Sequence, residues 1–157
     1  MVESNISTLD ALILKCEDVD FAPKKDWDQG DLIATAETDL GFTLPKSYKW
    51  WLNHYKGGSV GFDQEIYSLY GESAAISSSD LVQNHQKNPR HALLPENALV
   101  FFAPYGEEIF FFDVQRGQEE YEIFVVWQRD RLVEFYSGDF IEFLIKYING
   151  LMGNPVT

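Results

Sequence analysis

The sequence contains few of the residues and patterns that mark disulfide-linked, secreted or membrane proteins. A single cysteine, Cys16, occurs among the 157 residues, so no disulfide can form within the chain. No apolar run approaches the roughly 20 residues that a helix needs to cross a bilayer. The N-terminal stretch carries acidic and polar side chains through its one apolar run, unlike a signal peptide. We therefore expect a cytoplasmic protein without a membrane segment, in which Cys16 is a small buried residue.

Positive charge is also scarce. The chain has 12 Lys+Arg against 25 Asp+Glu, a net charge of −13 and a pI near 4.4. Direct binding to nucleic acid is disfavoured, because it requires clustered cations that displace counterions from the phosphates. Residues 107–142 hold ten acidic residues against three arginines, and such a surface attracts a basic protein partner. The alternative is a solvated surface that only maintains solubility.

The patterns of common catalytic and metal sites are missing as well. Three histidines occur without a compact ligand spacing: His54, His85 and His91. Neither the phosphate-binding G-x-x-x-x-G-K-[ST] pattern nor the G-x-S-x-G nucleophile turn is present. Glu107 and Glu108 are adjacent, and neighbouring side chains of a strand point to opposite faces, so they converge on one bond only if they lie in a turn. We expect no cofactor, no metal and no enzyme activity. An enzyme with a cleft lined by three tryptophans stays open as an alternative: Trp50, Trp51 and Trp127.

Hydrophobic residues are plentiful and sufficient for a packed core. They make up 45% of the chain, and aromatic residues make up 15%, which suits one domain spanning residues 1–157. Apolar residues at helical spacing predict three helices, near residues 5–16, 31–40 and 45–55. Between the first two, residues 18–30 have the composition of a polar loop, which Phe21 and Trp27 are expected to hold against the body of the protein.

Glycine and proline mark the ends of the second and third helices. Gly41 follows the second helix and suits the left-handed conformation that ends a helix without a Cβ penalty. Pro45 suits the first turn of the third helix, where its missing N–H removes no hydrogen bond. Gly57 and Gly58 are predicted to end that helix. Its large apolar side chains, with Trp51 among them, predict a central role in the core.

The second half of the chain is dominated by predicted strands. Six apolar segments predict them: residues 59–62, 65–70, 97–103, 108–114, 121–128 and 132–136. A short polar helix is predicted at about residues 80–88, and Ser137 is predicted to cap a last helix that ends at Gly150. This order predicts an α+β fold, with one domain and an antiparallel-rich central sheet on which N-terminal helices and a C-terminal helix pack.

A set of residues with a fixed order runs through these elements. It comprises Glu37, Leu40-Gly41, Leu44-Pro45, Tyr48, Trp51-Leu52, Gly57-Gly58, Phe111-Phe112-Asp113, Val125-Val126-Trp127, Ser137, Phe140, Phe143 and Leu144. In this order and spacing, over about residues 32–148, the chain resembles the SUKH superfamily and is most similar to its first, bacterial immunity group. The superfamily also contains a fungal cell-wall assembly regulator. Lys56 departs from the family pattern, which usually has an asparagine before the glycine pair.

The resemblance implies an intracellular immunity protein that binds and neutralises a cognate toxin, typically the nuclease domain of a secreted polymorphic toxin. It implies no enzyme activity. A nuclease needs a basic surface to hold its substrate, so an acidic inhibitor can occlude that surface. The alternative function is a non-enzymatic regulatory interaction module of the cell-wall-regulator type. In either case we expect a monomer or a weak homodimer that binds a protein.

Charge and loop placement, rather than the resemblance, select the candidate partner-binding residues. The acidic candidates lie in predicted turns and strand edges: Asp63, Glu65, Glu107, Glu108, Glu119, Glu120 and Glu122. A few buried aromatic residues usually carry most of the binding energy of an interface. Three tyrosines are therefore candidate anchors: Tyr67, Tyr105 and Tyr121.

Overall fold

The structure, a computed structural model, describes residues 3–23, 29–71 and 77–153. The helices in this part of the chain are α1 (Glu3–Lys15), α2 (Gln29–Leu40), α3 (Lys46–His54), α4 (Leu81–Lys87) and α5 (Phe140–Leu151). The strands are β1 (Val19–Pro23), β2 (Tyr55–Val60), β3 (Glu65–Ile66), β4 (Ala98–Phe102), β5 (Glu108–Asp113), β6 (Ile123–Trp127) and β7 (Val133–Ser137). Short 3₁₀ turns, Pro89–Leu93 and Pro104–Gly106, flank β4.

The strands form two antiparallel sheets within the described residues. One has the order β1-β2-β3 and the other the order β4-β5-β6-β7. Helix α5 packs on α3 and on β7, and α1 packs against α5, so helices from both ends of the chain meet. The predicted α+β class with antiparallel strands is confirmed, and the strands form two sheets where the sequence predicts one central sheet. No helix among the described residues combines the length and the apolar character that a bilayer crossing requires.

Aromatic side chains form the core between the larger sheet and α5. Phe143 of α5 has its ring centre 4.9 Å from that of Phe101 and 5.1 Å from that of Phe110. Phe140, one turn earlier, lies 5.5 Å from Phe101. These edge-on contacts add to the hydrophobic stabilisation of burial. The alternation of β5 therefore directs Phe110 toward α5, and it directs residue 108 to the same face.

Helix α3 has its apolar stripe in the same core, as its spacing predicts. Tyr48 and Trp51 are fully buried, and their rings stack with centres 6.0 Å apart. The Tyr48 hydroxyl donates a hydrogen bond of 2.5 Å to the carbonyl oxygen of Tyr67. Gly41 has a φ of +82° after α2, which confirms its predicted role at the helix end.

The prediction that Gly57 and Gly58 end the third helix is wrong. Helix α3 ends at His54, and Gly57 and Gly58 lie inside β2. Gly58 pairs with Phe21 of β1. A Cβ atom at Gly58 would lie 2.6 Å from the carbonyl oxygen of Asp20 and 2.7 Å from the Cα of Phe21. The glycine is therefore explained by the close approach of β1, not by the end of a helix.

Two further local predictions are wrong. The supposed polar loop at residues 18–30 contains strand β1, and Phe21 within it packs edge-on against Trp51 at 5.5 Å. Trp27 lies outside the described residues. The last helix is capped by Asp139, whose carboxylate accepts a 2.9 Å hydrogen bond from the Glu142 N–H. Ser137, which the sequence suggests as the cap, ends β7 and donates to the carbonyl oxygen of Asp139.

Candidate functional site

The structure divides the candidate partner-binding residues between two ends of the larger sheet. Strand β5 runs from Glu108 to Asp113, a rise of about 17 Å. One group lies at the start of β5, at what we call the near end: Asp63, Glu65, Tyr105, Glu107 and Glu108. The other group lies in the connection between β5 and β6, at what we call the far end: Glu119, Glu120, Tyr121 and Glu122. Tyr67 belongs to neither, because its side chain is in the core.

At the far end, the Glu120 side chain stabilises the fold. Its carboxylate accepts hydrogen bonds from the Ser47 N–H at 3.1 and 3.2 Å and from the Ser47 hydroxyl at 2.8 Å. Ser47 is fully buried in the first turn of α3, and its hydroxyl oxygen also accepts from the N–H of Phe140 at 3.0 Å. The negative charge faces the N-terminus of α3, where it interacts favourably with the helix dipole. Glu120 therefore joins α3 to the β5–β6 connection.

The two buried tyrosine candidates also have internal partners. Tyr121 is 1% exposed, and its hydroxyl donates a 2.6 Å hydrogen bond to the carbonyl oxygen of Thr43. Tyr67 is 9% exposed, and its N–H donates at 2.7 Å to the carbonyl oxygen of Phe101. Neither ring is presented at the surface. Both rings are therefore part of the core.

The near end brings two turns together. The turn between β2 and β3 contains Phe62, Asp63 and Gln64, and the turn before β5 contains Tyr105. The Phe62 N–H donates a 3.3 Å hydrogen bond to the Tyr105 hydroxyl. In return, the Tyr105 N–H donates at 2.7 Å to the side-chain carbonyl of Gln64. This pair of hydrogen bonds fixes the two turns against each other, although their residues are about forty positions apart in the sequence.

Three described residues other than glycine have a positive φ; one is Arg131 in the turn between β6 and β7, at +61°, and the other two lie in these two turns. Asp63 has a φ of +54° and Tyr105 a φ of +55°. Left-handed conformations are costly for residues with a Cβ, and they persist where the surroundings determine them. The two hydrogen bonds between the turns help to hold these residues in the left-handed conformation. Such strain concentrates at functional sites, so it marks these two turns as candidates.

The side chains at the near end combine apolar and acidic character. Phe62 is 78% exposed and Tyr105 is 60% exposed. Asp63, Glu65 and Glu107 are exposed around them. We call these five residues the acidic tip. Exposed aromatic residues bordered by polar groups are typical of protein interfaces.

A shallow cavity of about 400 Å³ adjoins the acidic tip. It is lined by Asp20, Ala22, Lys56, Gly57, Gly58, Ser59, Asp63, Glu65 and Tyr70. Three carboxylates and one ammonium group therefore border it, so the cavity is acidic. Four consecutive residues of β2, Lys56 to Ser59, contribute to its lining. Sequence reasoning missed Asp20, because β1 was not predicted, and missed Phe62, because residues 59–62 were predicted as a strand, whereas β2 ends at Val60 and Phe62 lies in the turn after it.

The described residues contain little that points to catalysis. In this part of the chain, no three His, Cys, Asp or Glu side chains lie close enough together to hold a metal ion. The predicted absence of cofactors stays a prediction. The tryptophan-lined cleft finds no support, because Trp51 is fully buried and Trp50 stacks on His54 with ring centres 4.2 Å apart. Burial, and secondly the charge of Glu107, raise the pKa of Glu108.

The chain matches a known protein family. A family model, SUKH_6, described as SMI1-KNR4 cell-wall, matches residues 30–144. The match covers more than half of the chain and includes α2, α3, all strands of the larger sheet and the beginning of α5. No curated protein matches the chain.

Proposed function

Since the chain belongs to the SMI1-KNR4 cell-wall family of SUKH proteins, we propose that it is an immunity protein that binds and neutralises a cognate polymorphic toxin in the cytoplasm. The toxin domain is a nuclease with a basic substrate-binding surface. The immunity protein occludes that surface with its acidic face and catalyses no reaction. The acidic tip, with Phe62 and Tyr105 exposed among carboxylates, is the observation that carries this proposal.

The physical basis is competition for the nuclease's cationic surface. A nuclease binds its substrate through lysine and arginine side chains that contact phosphates. Carboxylates on the immunity protein pair with the same cations, and complementary charge accelerates association. Phe62 and Tyr105 supply the apolar anchors, since rigid aromatic side chains carry a large share of the energy of an interface. The hydrogen bonds between the two turns order these anchors before binding, which lowers the entropy cost of association.

The alternative function is a regulatory interaction module of the cell-wall-regulator type. The matching family model is described by the term cell-wall, which supports this alternative. Such a module also acts by binding a protein and needs no catalytic residues. The two functions differ in the partner, so the gene neighbourhood separates them. A neighbouring gene for a large secreted protein with a nuclease-like C-terminal domain supports the immunity function, and its absence supports the regulatory module.

Co-expression tests the proposal directly. The chain is produced in bacterial cells together with the toxin domain encoded beside its gene, and growth is compared with that of cells producing the toxin alone. We expect the wild-type chain to restore growth and to co-purify with the toxin. Continued killing by an active toxin, with the wild-type chain present at equal or higher levels, overturns the immunity function.

A matched pair of double variants tests the location of the interface. Asp63→Asn/Glu65→Gln removes two negative charges from the near end, and Glu119→Gln/Glu122→Gln removes two from the far end. All four side chains are exposed. We expect the first variant to weaken toxin binding at least tenfold and the second to change it less than threefold. The reverse order would place the interface at the far end.

A further inference from the structure

Glu108, the first residue of β5, has no counter-ion for its carboxylate among the residues that the structure describes. Glu108 is half-buried, and in the described part of the chain no lysine, arginine or histidine lies within ion-pair distance of it. Its side chain also has no hydrogen-bond donor among these residues. A carboxylate that is partly removed from water and unpaired is unfavourable for the free protein. A cation supplied from outside relieves that cost.

Aromatic residues occupy the face of the sheet that carries Glu108. By strand alternation Glu108 shares a face with Phe110, whose ring centre lies 5.0 Å from that of Tyr136 and 5.7 Å from that of Tyr147. Burial chiefly raises the pKa of Tyr136 and of Tyr147, and the charge of Glu108 adds to the rise in both. Trp127 lies directly opposite Glu108 in the pairing of β5 with β6 and is 38% exposed. Opposed residues of an antiparallel pair share a face, with Cβ atoms about 5 Å apart.

We propose that Glu108, Trp127, Tyr136 and Tyr147 form an aromatic socket that binds one basic side chain, an arginine or a lysine, of the protein partner. The cation pairs with the Glu108 carboxylate, and its stem or planar face lies against the rings. Cations bind the faces of tryptophan and tyrosine rings, most strongly where water is excluded. The partner's identity as a toxin rests on the proposed function, whereas the chemistry of the socket does not.

Among the described residues, Lys146 already contacts one of these rings, that of Tyr136. Lys146 Nζ lies 4.2 Å from the centre of the Tyr136 ring and donates a 3.1 Å hydrogen bond to the carbonyl oxygen of Tyr136. Lys146 is thus held at a position where it does not pair with Glu108. Trp127 and Tyr147 are left to contact an incoming cation. Tyr105 of the acidic tip is close enough to Tyr147 to contribute to the rise of its pKa, so one partner can contact both the tip and the socket.

Two peptides that differ only in charge test the socket. The wild-type protein is titrated with a tetra-arginine peptide and with a tetra-citrulline peptide, while NMR follows the ring signals of Trp127, Tyr136 and Tyr147. The same titrations are run with Glu108→Gln and with Glu119→Gln, an equal charge change at the exposed far end. We expect saturable shifts of the Trp127 and Tyr147 signals with tetra-arginine and none with tetra-citrulline. Glu108→Gln should raise the dissociation constant at least tenfold and Glu119→Gln less than twofold.

Two results would overturn the socket. One is the absence of shifts at Trp127 and Tyr147, and the other is equal weakening by both variants, which would indicate diffuse attraction by the net charge. These titrations contain no toxin, so they fail or succeed independently of the immunity function. If the chain does not protect cells but tetra-arginine occupies the socket, the immunity function alone is wrong. If it protects cells but Glu108→Gln leaves both toxin and peptide binding unchanged, the socket alone is wrong.

Discussion

Glutamate side chains have three different roles in this protein, and their surroundings decide which. Glu37 accepts a 2.7 Å hydrogen bond from the Leu44 N–H and pairs with Lys49 at 3.4 Å, so it holds the connection between α2 and α3. Glu120 caps α3 from a distant part of the chain. Glu108 has neither kind of partner among the described residues. The first two stabilise the fold, whereas Glu108 is available to a ligand.

Because Glu108 has no partner for its charge among the described residues, we expect Glu108→Gln to stabilise the free protein at neutral pH. Because the pKa of Glu108 is raised on folding, the folded state holds this proton more tightly than the unfolded state. The stabilisation by the protonated Glu108 carboxyl is therefore fully present below the unfolded-state pKa of about 4.3. It is lost as the pH rises through the pKa of Glu108 in the folded state. The neutral glutamine avoids that loss. We expect a gain of less than about 1 kcal/mol at pH 7, since water still screens a half-exposed group.

Urea unfolding of wild type and Glu108→Gln at pH 7 and pH 4 measures this effect. The difference in free energy of unfolding should shrink as the pH falls, because protonated glutamic acid and glutamine are both neutral. Glu119→Gln is the control for the change in net charge. A lower stability of Glu108→Gln at pH 7 would show that the carboxylate has a favourable internal partner.

Among the elements, α3 depends most clearly on distant residues. Pro45 precedes it without a side-chain cap, and the N–H groups of its first turn are satisfied from the β5–β6 connection instead. The Lys46 N–H donates to the carbonyl oxygen of Glu119 at 2.8 Å, and the Ser47 N–H donates to Glu120. The helix that carries the buried Tyr48 and Trp51 thus begins at a contact between two halves of the chain.

Glu120→Ala should therefore destabilise the protein. Removal of the carboxylate leaves the Ser47 N–H and hydroxyl without this acceptor, and hydrogen bonds to charged groups contribute about 1.5–3 kcal/mol. We expect a loss of that size in the free energy of unfolding, measured with urea. Glu119→Ala is the matched control, because only its backbone takes part in the contact. A stable Glu120→Ala protein that no longer binds its partner would return Glu120 to the interface.

The pairing of β1 with β2 depends on the absence of a side chain at Gly58. Gly58→Ala would place a Cβ against the backbone of Asp20 and Phe21, and neither can withdraw without separation of the strands. Overpacking of this kind costs about 1–3 kcal/mol. We expect a corresponding loss in thermal or urea stability. Gly150→Ala should have the opposite effect, a gain of about 0.5–1 kcal/mol, because it is helical and its Cβ position is open. Equal effects of the two substitutions would contradict the account of β1.

The elements differ in how far the sequence could predict them. Helices α3 and α5 follow from their apolar spacing, and β4 and β5 follow from runs of buried Phe, Val and Ile. Strand β1 was missed because its five residues alternate between exposed and half-buried positions at the edge of a sheet and resemble a polar loop. The glycine pair was misplaced because glycine serves both where φ is positive and where a Cβ does not fit, and the sequence does not distinguish the two.

The candidate site was harder to predict than the fold, because it depends on long-range contacts. Acidic composition selected Asp63, Glu65 and Glu107, which are exposed in the structure, and their role in partner binding stays a prediction. It also selected Glu120, whose internal partner is 73 residues away. The contact of Phe62 with Tyr105 joins turns from different sheets, and no local pattern encodes it.

At the scale of the whole molecule, the net charge of −13 acts on any basic partner before contact is made. The carboxylates lie at both ends of the larger sheet, yet those at the far end include Glu120, which is already paired with α3. Exposed aromatic residues accompany the acids at the near end. We therefore expect the net charge to govern how fast a partner arrives, and the near end to govern how long it stays.

This division predicts how salt affects binding of the toxin domain that co-expression identifies. The Debye length is about 10 Å at 0.1 M ionic strength and about 3 Å at 1 M, so high salt screens the long-range attraction. We expect the association rate constant to fall at least tenfold over this range, with a smaller change in the dissociation rate constant, both measured by stopped-flow fluorescence.

The double variants Asp63→Asn/Glu65→Gln and Glu119→Gln/Glu122→Gln should lower the association rate similarly at low salt, since each removes two charges. Only the first should accelerate dissociation. An association rate that is insensitive to salt would refute electrostatic steering, and equal dissociation rates for the two variants would remove the near end from the interface.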